Sequence, residues 1–119
     1  MPSPSDFDYQ VNTVNDVTFV TVQGFLDAHT YEAMRDVFER LFDENHKKIA
    51  VDLHEVAYIS SAGAGVFIGA LERSQEIDGE IVLMKPSETV LEVFEMLGLT
   101  QIFQFAETRQ KVLAHFGSE

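Results

Sequence analysis

Two adjacent hydroxyls, Ser60 and Ser61, follow the apolar pair Tyr58-Ile59 and precede the small residues Ala62, Gly63, Ala64 and Gly65. An apolar run giving way to helical spacing marks a strand-to-helix junction. A serine there can cap the helix by accepting from an amide two or three residues on. Unpaired N–H groups at a helix start also favour negative charge. Ser61 can therefore carry a phosphoryl group without the fold being rebuilt around it, which makes it a switch candidate. Glycine and alanine at positions 62–65 let the helix start lie close to a sheet and leave its amides accessible. Ser60 reads as the capping and turn residue of the pair.

Other chemistry finds weaker support. A nucleophilic serine needs a base in hydrogen-bond reach and an oxyanion pocket, and neither serine sits in a Gly-x-Ser-x-Gly elbow. Of the histidines His29, His46, His54 and His115, His46 lies in a polar turn with Asn45 and Lys47, and His115 lies near the chain end. His54-Glu55 precedes the junction in an expected loop and could approach it, but no orienting partner is evident. The acids are spread along helix faces and do not form the Asp-x-Asp-x-Asp-Gly pattern of a calcium loop. Gly63-Ala64-Gly65 lacks both the P-loop lysine and the full dinucleotide-binding glycine spacing. With no cysteine there is neither a disulfide framework nor a thiolate metal site. No catalytic residue, cofactor or metal is expected.

A second segment, Gly24-Phe25-Leu26-Asp27, ends an expected strand at Gly24. It sets Asp27 at a helix start, where a carboxylate satisfies orphan amides. In a parallel sheet, loops at one end converge, so Asp27 either caps its helix or also shapes the surroundings of Ser61.

The elements that must position these residues follow from periodicity. Phe7–Val14 and Val17–Val22 read as strands joined by an Asn15-Asp16 turn. Met34, Val37, Phe38, Leu41 and Phe42 recur at helical spacing, with Asp27 or Thr30 as the cap. Ile49, Val51 and Leu53 share one side of a short strand. The helix after the serines spans about 62–76 with Val66, Phe67, Ala70 and Leu71 inward, and Gly79 ends it. Gly69, four residues after Gly65, reads as a site of close helix packing. Ile81–Met84 is an interior strand. Ser87 caps a helix with the stripe Val90, Leu91, Phe94 and Leu97, closed by Gly98. Ile102–Phe105 is a last strand, and 107–116 a last helix with Val112, Leu113 and Phe116 inward. The order β-β-α-β-α-β-α-β-α predicts a single α/β domain with a largely parallel, mixed sheet, an N-terminal hairpin and about four helices. Residues 1–6 read as a flexible start and 7–117 as the domain.

The chain has 119 residues, 45% of them hydrophobic, which is enough for one core. Its net charge of −12 disfavours nucleic acid and anionic membranes and favours a basic protein partner. No apolar stretch is long enough to span a bilayer. The first residues lack the basic start and apolar region of a secretory signal, so the cytoplasm is the expected compartment. The charged helix faces leave no self-association stripe, and a monomer is expected when the protein is free.

Gly24-Phe25-Leu26-Asp27 and Ser60-Ser61-Ala62-Gly63-Ala64-Gly65, in that order, resemble the STAS domain of small stand-alone anti-sigma factor antagonists. The family pattern is Gly-Glu-Leu-Asp before the first helix and Asp-Ser-Ser-Gly-Leu-Gly, or Ser-Ser-Ala-Gly-Leu, at the second. The likeness runs over nearly the whole chain, including the opening hairpin, Gly79–Leu99 and the last helix. It implies that Ser61 is the phospho-accepting residue and Asp27 the family's loop aspartate. Ser60, Ala62, Gly63 and Gly65 make up the switch environment. Phe25 departs from the usual glutamate and Ala64 from the usual leucine. The resemblance further implies partner switching in bacterial transcription control. The unmodified protein binds an anti-sigma factor that is also a serine kinase and so frees a sigma factor. Phosphorylation ends the complex, and a PP2C-type phosphatase restores it. The alternative within the family is a non-switching interaction module, a signalling scaffold or a lipid-transporter subunit.

Overall fold

The computed structural model describes residues 6–118, so most of the expected flexible start lies outside the described residues. Five strands alternate with helices in chain order: β1 (Asp8–Val14), β2 (Val17–Leu26), α1 (Tyr31–Asp43), β3 (Lys48–Ile59), α2 (Ser61–Glu76), β4 (Glu80–Met84), α3 (Glu88–Met96), β5 (Gln104–Ala106) and α4 (Arg109–Phe116). A single 3-10 turn, Leu99–Gln101, precedes β5. The sheet is ordered β1-β2-β3-β4-β5. β1 and β2 form an antiparallel hairpin around Asn15-Asp16, and every other pairing is parallel. This is the mixed α/β architecture expected from the alternation of elements.

The sheet divides two cores. On one face α1, α2 and α3 bury the larger cluster. The α1 stripe Met34, Val37, Phe38, Leu41 and Phe42 is wholly buried there. Phe67 of α2 sits edge-on to both Phe38, at 5.5 Å, and Phe94 of α3, at 5.8 Å, the geometry that aromatic quadrupoles favour. On the other face α4 alone packs Val112, Leu113 and Phe116 against Val17, Phe19, Ala50, Val82 and Met84. The Arg109 guanidinium caps this smaller core 4.5 Å above the Phe19 ring.

Two strands run further than their periodicity predicts. β2 does not stop at Gly24 but continues to Leu26, and β3 continues through His54 and Glu55 to Ile59. The cause is a pair of register shifts, between Thr21 and Gln23 and between Gly24 and Phe25, each giving β3 one extra residue. Its buried positions then recur as Leu53, Val56 and Ile59, three apart instead of two. Gly24 has φ +98°, and a Cβ there would come within 1.8 Å of the Asp6 carbonyl oxygen. It is the crossing point of the chain start over β2.

Later in the chain, α2 stops at Glu76 as expected. Gly79 closes its end by donating to the Ser74 carbonyl, and backs onto Lys47. Leu97, expected in the α3 stripe, is instead the C-cap and is exposed, because the helix ends one residue earlier. Ile102 lies outside β5 and is likewise exposed.

Candidate functional site

Ile59 ends β3 opposite Leu26 at the end of β2. The Ser60 amide donates to the Leu26 carbonyl at 2.8 Å, tying the two strand ends together. The chain then turns directly into α2. Ser60 is the N-cap: its backbone is extended, and its hydroxyl accepts from the Gly63 amide at 3.2 Å. Its carbonyl accepts from Ala64. Gly63 is buried against Leu26, and a Cβ on it would lie 2.3 Å from the Leu26 carbonyl oxygen. Only glycine lets the first turn of α2 approach β2 this closely.

Ser61 is the first residue of the helix and is exposed. Among the described residues its hydroxyl has no hydrogen-bond partner, and neither do the Ser61 and Ala62 amides. The first turn of α2 contains no acidic residue. A free hydroxyl, two free amides and the positive end of a 16-residue helix therefore coincide. That arrangement can accept a phosphate group and stabilise its charge.

Asp27 follows Leu26 and so stands beside Ser60 at the same end of the sheet. It does not cap α1 with its side chain. Its carboxylate accepts from the His29 amide at 2.9 Å, and its carbonyl accepts from Tyr31. Thr30 holds the N-cap position, yet its hydroxyl donates to the Phe25 carbonyl at 2.7 Å and accepts from the Asp27 amide. The two candidate caps thus brace one rigid turn beside the serines. Phe25 pairs across the strands with Tyr58, ring centroids 5.5 Å apart. This aromatic pair, on the sheet face opposite α1 and α2, has no signature in the sequence because the β3 register shifts hide its alignment.

The other candidates separate from the site. His54 is in β3, not a loop, and its Nδ1 lies 2.7 Å from Asp52. Seven residues of extended chain put it about 20 Å from Ser61, so it cannot serve that hydroxyl as a base. His46 contacts the Thr18 hydroxyl at 2.6 Å, and His115 pairs with Glu80 across α4 and β4. Ala62 is exposed and Gly65 faces open space. Gly69 faces open space too: a methyl group there would meet no atom within 4 Å, so it is not a packing contact between helices. Among the described residues, no group of three or more acidic or histidine side chains could hold a metal ion, and no helix is long and apolar enough to cross a membrane.

Comparison with known proteins converges on one family. The family model of the STAS domain matches residues 8–112. The anti-sigma-B factor antagonist of Listeria monocytogenes is 32% identical over 85 residues, covering 71% of this chain and 75% of that protein. An anti-sigma factor antagonist from Mycobacterium paratuberculosis superposes with a TM-score of 0.85 at 18% identity, covering 97% of both chains. The Bacillus cell fate determinant SpoIIAA, solved in its phosphorylated form, gives a TM-score of 0.70 at 21% identity, covering 92% of this chain and 99% of that one.

Proposed function

This chain belongs to the STAS-domain family of anti-sigma factor antagonists, a family of regulatory modules and not of enzymes, and from that premise we propose that it is a phospho-regulated partner switch. Unmodified, it binds a cognate anti-sigma factor that is also a serine kinase, and thereby frees a sigma factor. The kinase transfers the γ-phosphoryl group of ATP to Ser61. The Ser61 Oγ–P bond forms, the bond to the ADP leaving group breaks, and the hydroxyl proton departs. A PP2C-type phosphatase returns the serine by hydrolysis.

The observation that carries this reading is the division of labour between adjacent serines. Ser60 commits its hydroxyl to the helix, whereas Ser61 is exposed with its hydroxyl free. Phosphorylation adds roughly −1.5 to −2 charges at a helix start that tolerates them. The same charge falls on a surface that a partner must fit closely. The braced Asp27 turn and the Gly63 contact hold that surface in place, so modification changes its charge more than its shape. The phosphorylated form of SpoIIAA, a protein of the same fold, supports the reading.

The test is to incubate the protein with its cognate kinase and ATP and to map the intact mass. One phosphoryl group should appear on Ser61 and none on the Ser61→Ala variant. Enzymatically phosphorylated protein should bind the kinase at least about tenfold more weakly than unmodified protein. Equal binding of the two forms would overturn the switch and leave a non-switching interaction module.

A further inference from the structure

α1 and α2 run side by side over the sheet, and a groove of about 370 Å³ lies between them. Phe38, Phe42, Val66 and Ala70 make its floor, and all four are otherwise buried in the main core. It is open because the α2 wall carries Gly65 and Gly69, where a methyl group would meet nothing within 4 Å. Glycine inside a helix is costly relative to alanine. Gly63 has a reason within the chain, in the Leu26 carbonyl. Gly65 and Gly69 have none, and their effect is to keep the space over the apolar floor empty.

The rim is charged unevenly. At the end nearest the serines, the Arg35 guanidinium lies over the Tyr31 ring, 5.9 Å from its centroid, and pairs with no carboxylate among the described residues, while the Tyr31 hydroxyl donates to Glu32 at 3.3 Å. At the far end Arg73 is already engaged by Asp43 at 3.1 Å and stacks over Phe42. Glu39, one helical turn beyond Arg35, is the acid on the α1 rim. An occupant that completes this arrangement has one anionic head, placed at Arg35, the rim cation that no carboxylate holds. It has an apolar tail lying along the glycine side. From Ala62 to Arg73 the groove extends about 16 Å, the reach of a medium-to-long alkyl chain. We propose that the α1–α2 groove binds a single-chain carboxylate amphiphile of the fatty-acid class, held by Arg35 and seated over Gly65 and Gly69. The groove adjoins the Ser61 surface at Ala62, but its occupancy does not require phosphorylation of Ser61.

Laurate, kept below its micellar range, is titrated into the full chain while backbone amides are followed by NMR. Saturable shifts are expected for Arg35 and for residues 62–70. Dodecanol, with the same tail and no charge, should bind about fivefold or more weakly. Arg35→Gln should abolish that difference between laurate and dodecanol. Gly69→Leu should fill the groove and lower laurate affinity at least about tenfold, with a thermal midpoint at or above that of the unaltered chain, which separates occlusion from misfolding. Absence of saturable shifts, shifts confined to other surfaces, or laurate affinity unchanged in a folded Gly69→Leu protein would overturn the proposal.

Discussion

Neighbouring serines with opposite employment make a testable pair. Ser60 satisfies the Gly63 amide, so Ser60→Ala should lower unfolding stability by about 1 kcal/mol. Ser61 makes no such bond, so Ser61→Ala should change stability by less than about 0.5 kcal/mol while removing the hydroxyl proposed to accept the phosphoryl group. Urea denaturation of the two variants separates the hydroxyl that caps the helix from the one that does not. The capping role of Ser60 is readable from the sequence, because two hydroxyls between an apolar run and a glycine-rich helix start leave few arrangements. The partner of Asp27 is not readable, because the choice between capping α1 and bracing the turn depends on where Thr30 points. That hydroxyl reaches back to Phe25, a contact without a sequence signature.

Among elements, α2 carries the sharpest contrast. Gly63→Ala drives a methyl into the Leu26 carbonyl and should destabilise the protein by about 1–3 kcal/mol. Gly65→Ala, two residues on and facing open space, should stabilise it by about 0.5–1 kcal/mol. Thermal denaturation should therefore move in opposite directions for two identical substitutions in one helix; destabilisation by both would mean that the Gly65 surroundings are occupied. Helix periodicity locates all four helices, since each presents its apolar stripe to one face of the sheet. The ends of β2 and β3 are hidden for a physical reason. Alternation reports a regular strand, and the two extra residues of β3 break the alternation without ending the pairing. His54 consequently reads as a loop residue until the pairing is seen.

At the scale of the molecule, the hairpin turn and the last residues described are bound together. The Lys48 ammonium lies 2.6 Å from Asp16, Ser118 donates to the same carboxylate, and Asn15 donates to the Ser118 carbonyl. Lys48 first, and Ser118 second, hold the Asp16 carboxyl below its ordinary value of 3.8. A carboxylate with a depressed folded-state pKa contributes stability above its unfolded value and loses it as pH falls through the folded one. The contribution of Asp16 is therefore present at neutral pH and lost below about 3.8. Its NMR titration midpoint should lie below that value in the unaltered chain and rise towards it in Lys48→Met; an unmoved midpoint would remove Lys48 as the cause. This tie between distant segments has no signal in the sequence, whereas the alternation of elements already implies the sheet it fastens.

The spatial order of the strands is their order along the chain. During synthesis each new strand can therefore add to an edge already in place, with no strand having to be inserted between two others. The helical face can close progressively as α1, α2 and α3 emerge. The opposite face cannot, because its cover is α4, which follows all five strands in chain order. Until the ribosome releases that helix, Val17, Phe19, Ala50, Val82 and Met84 remain an uncovered apolar surface, and the nascent chain has a defined interval in which a chaperone has something to hold.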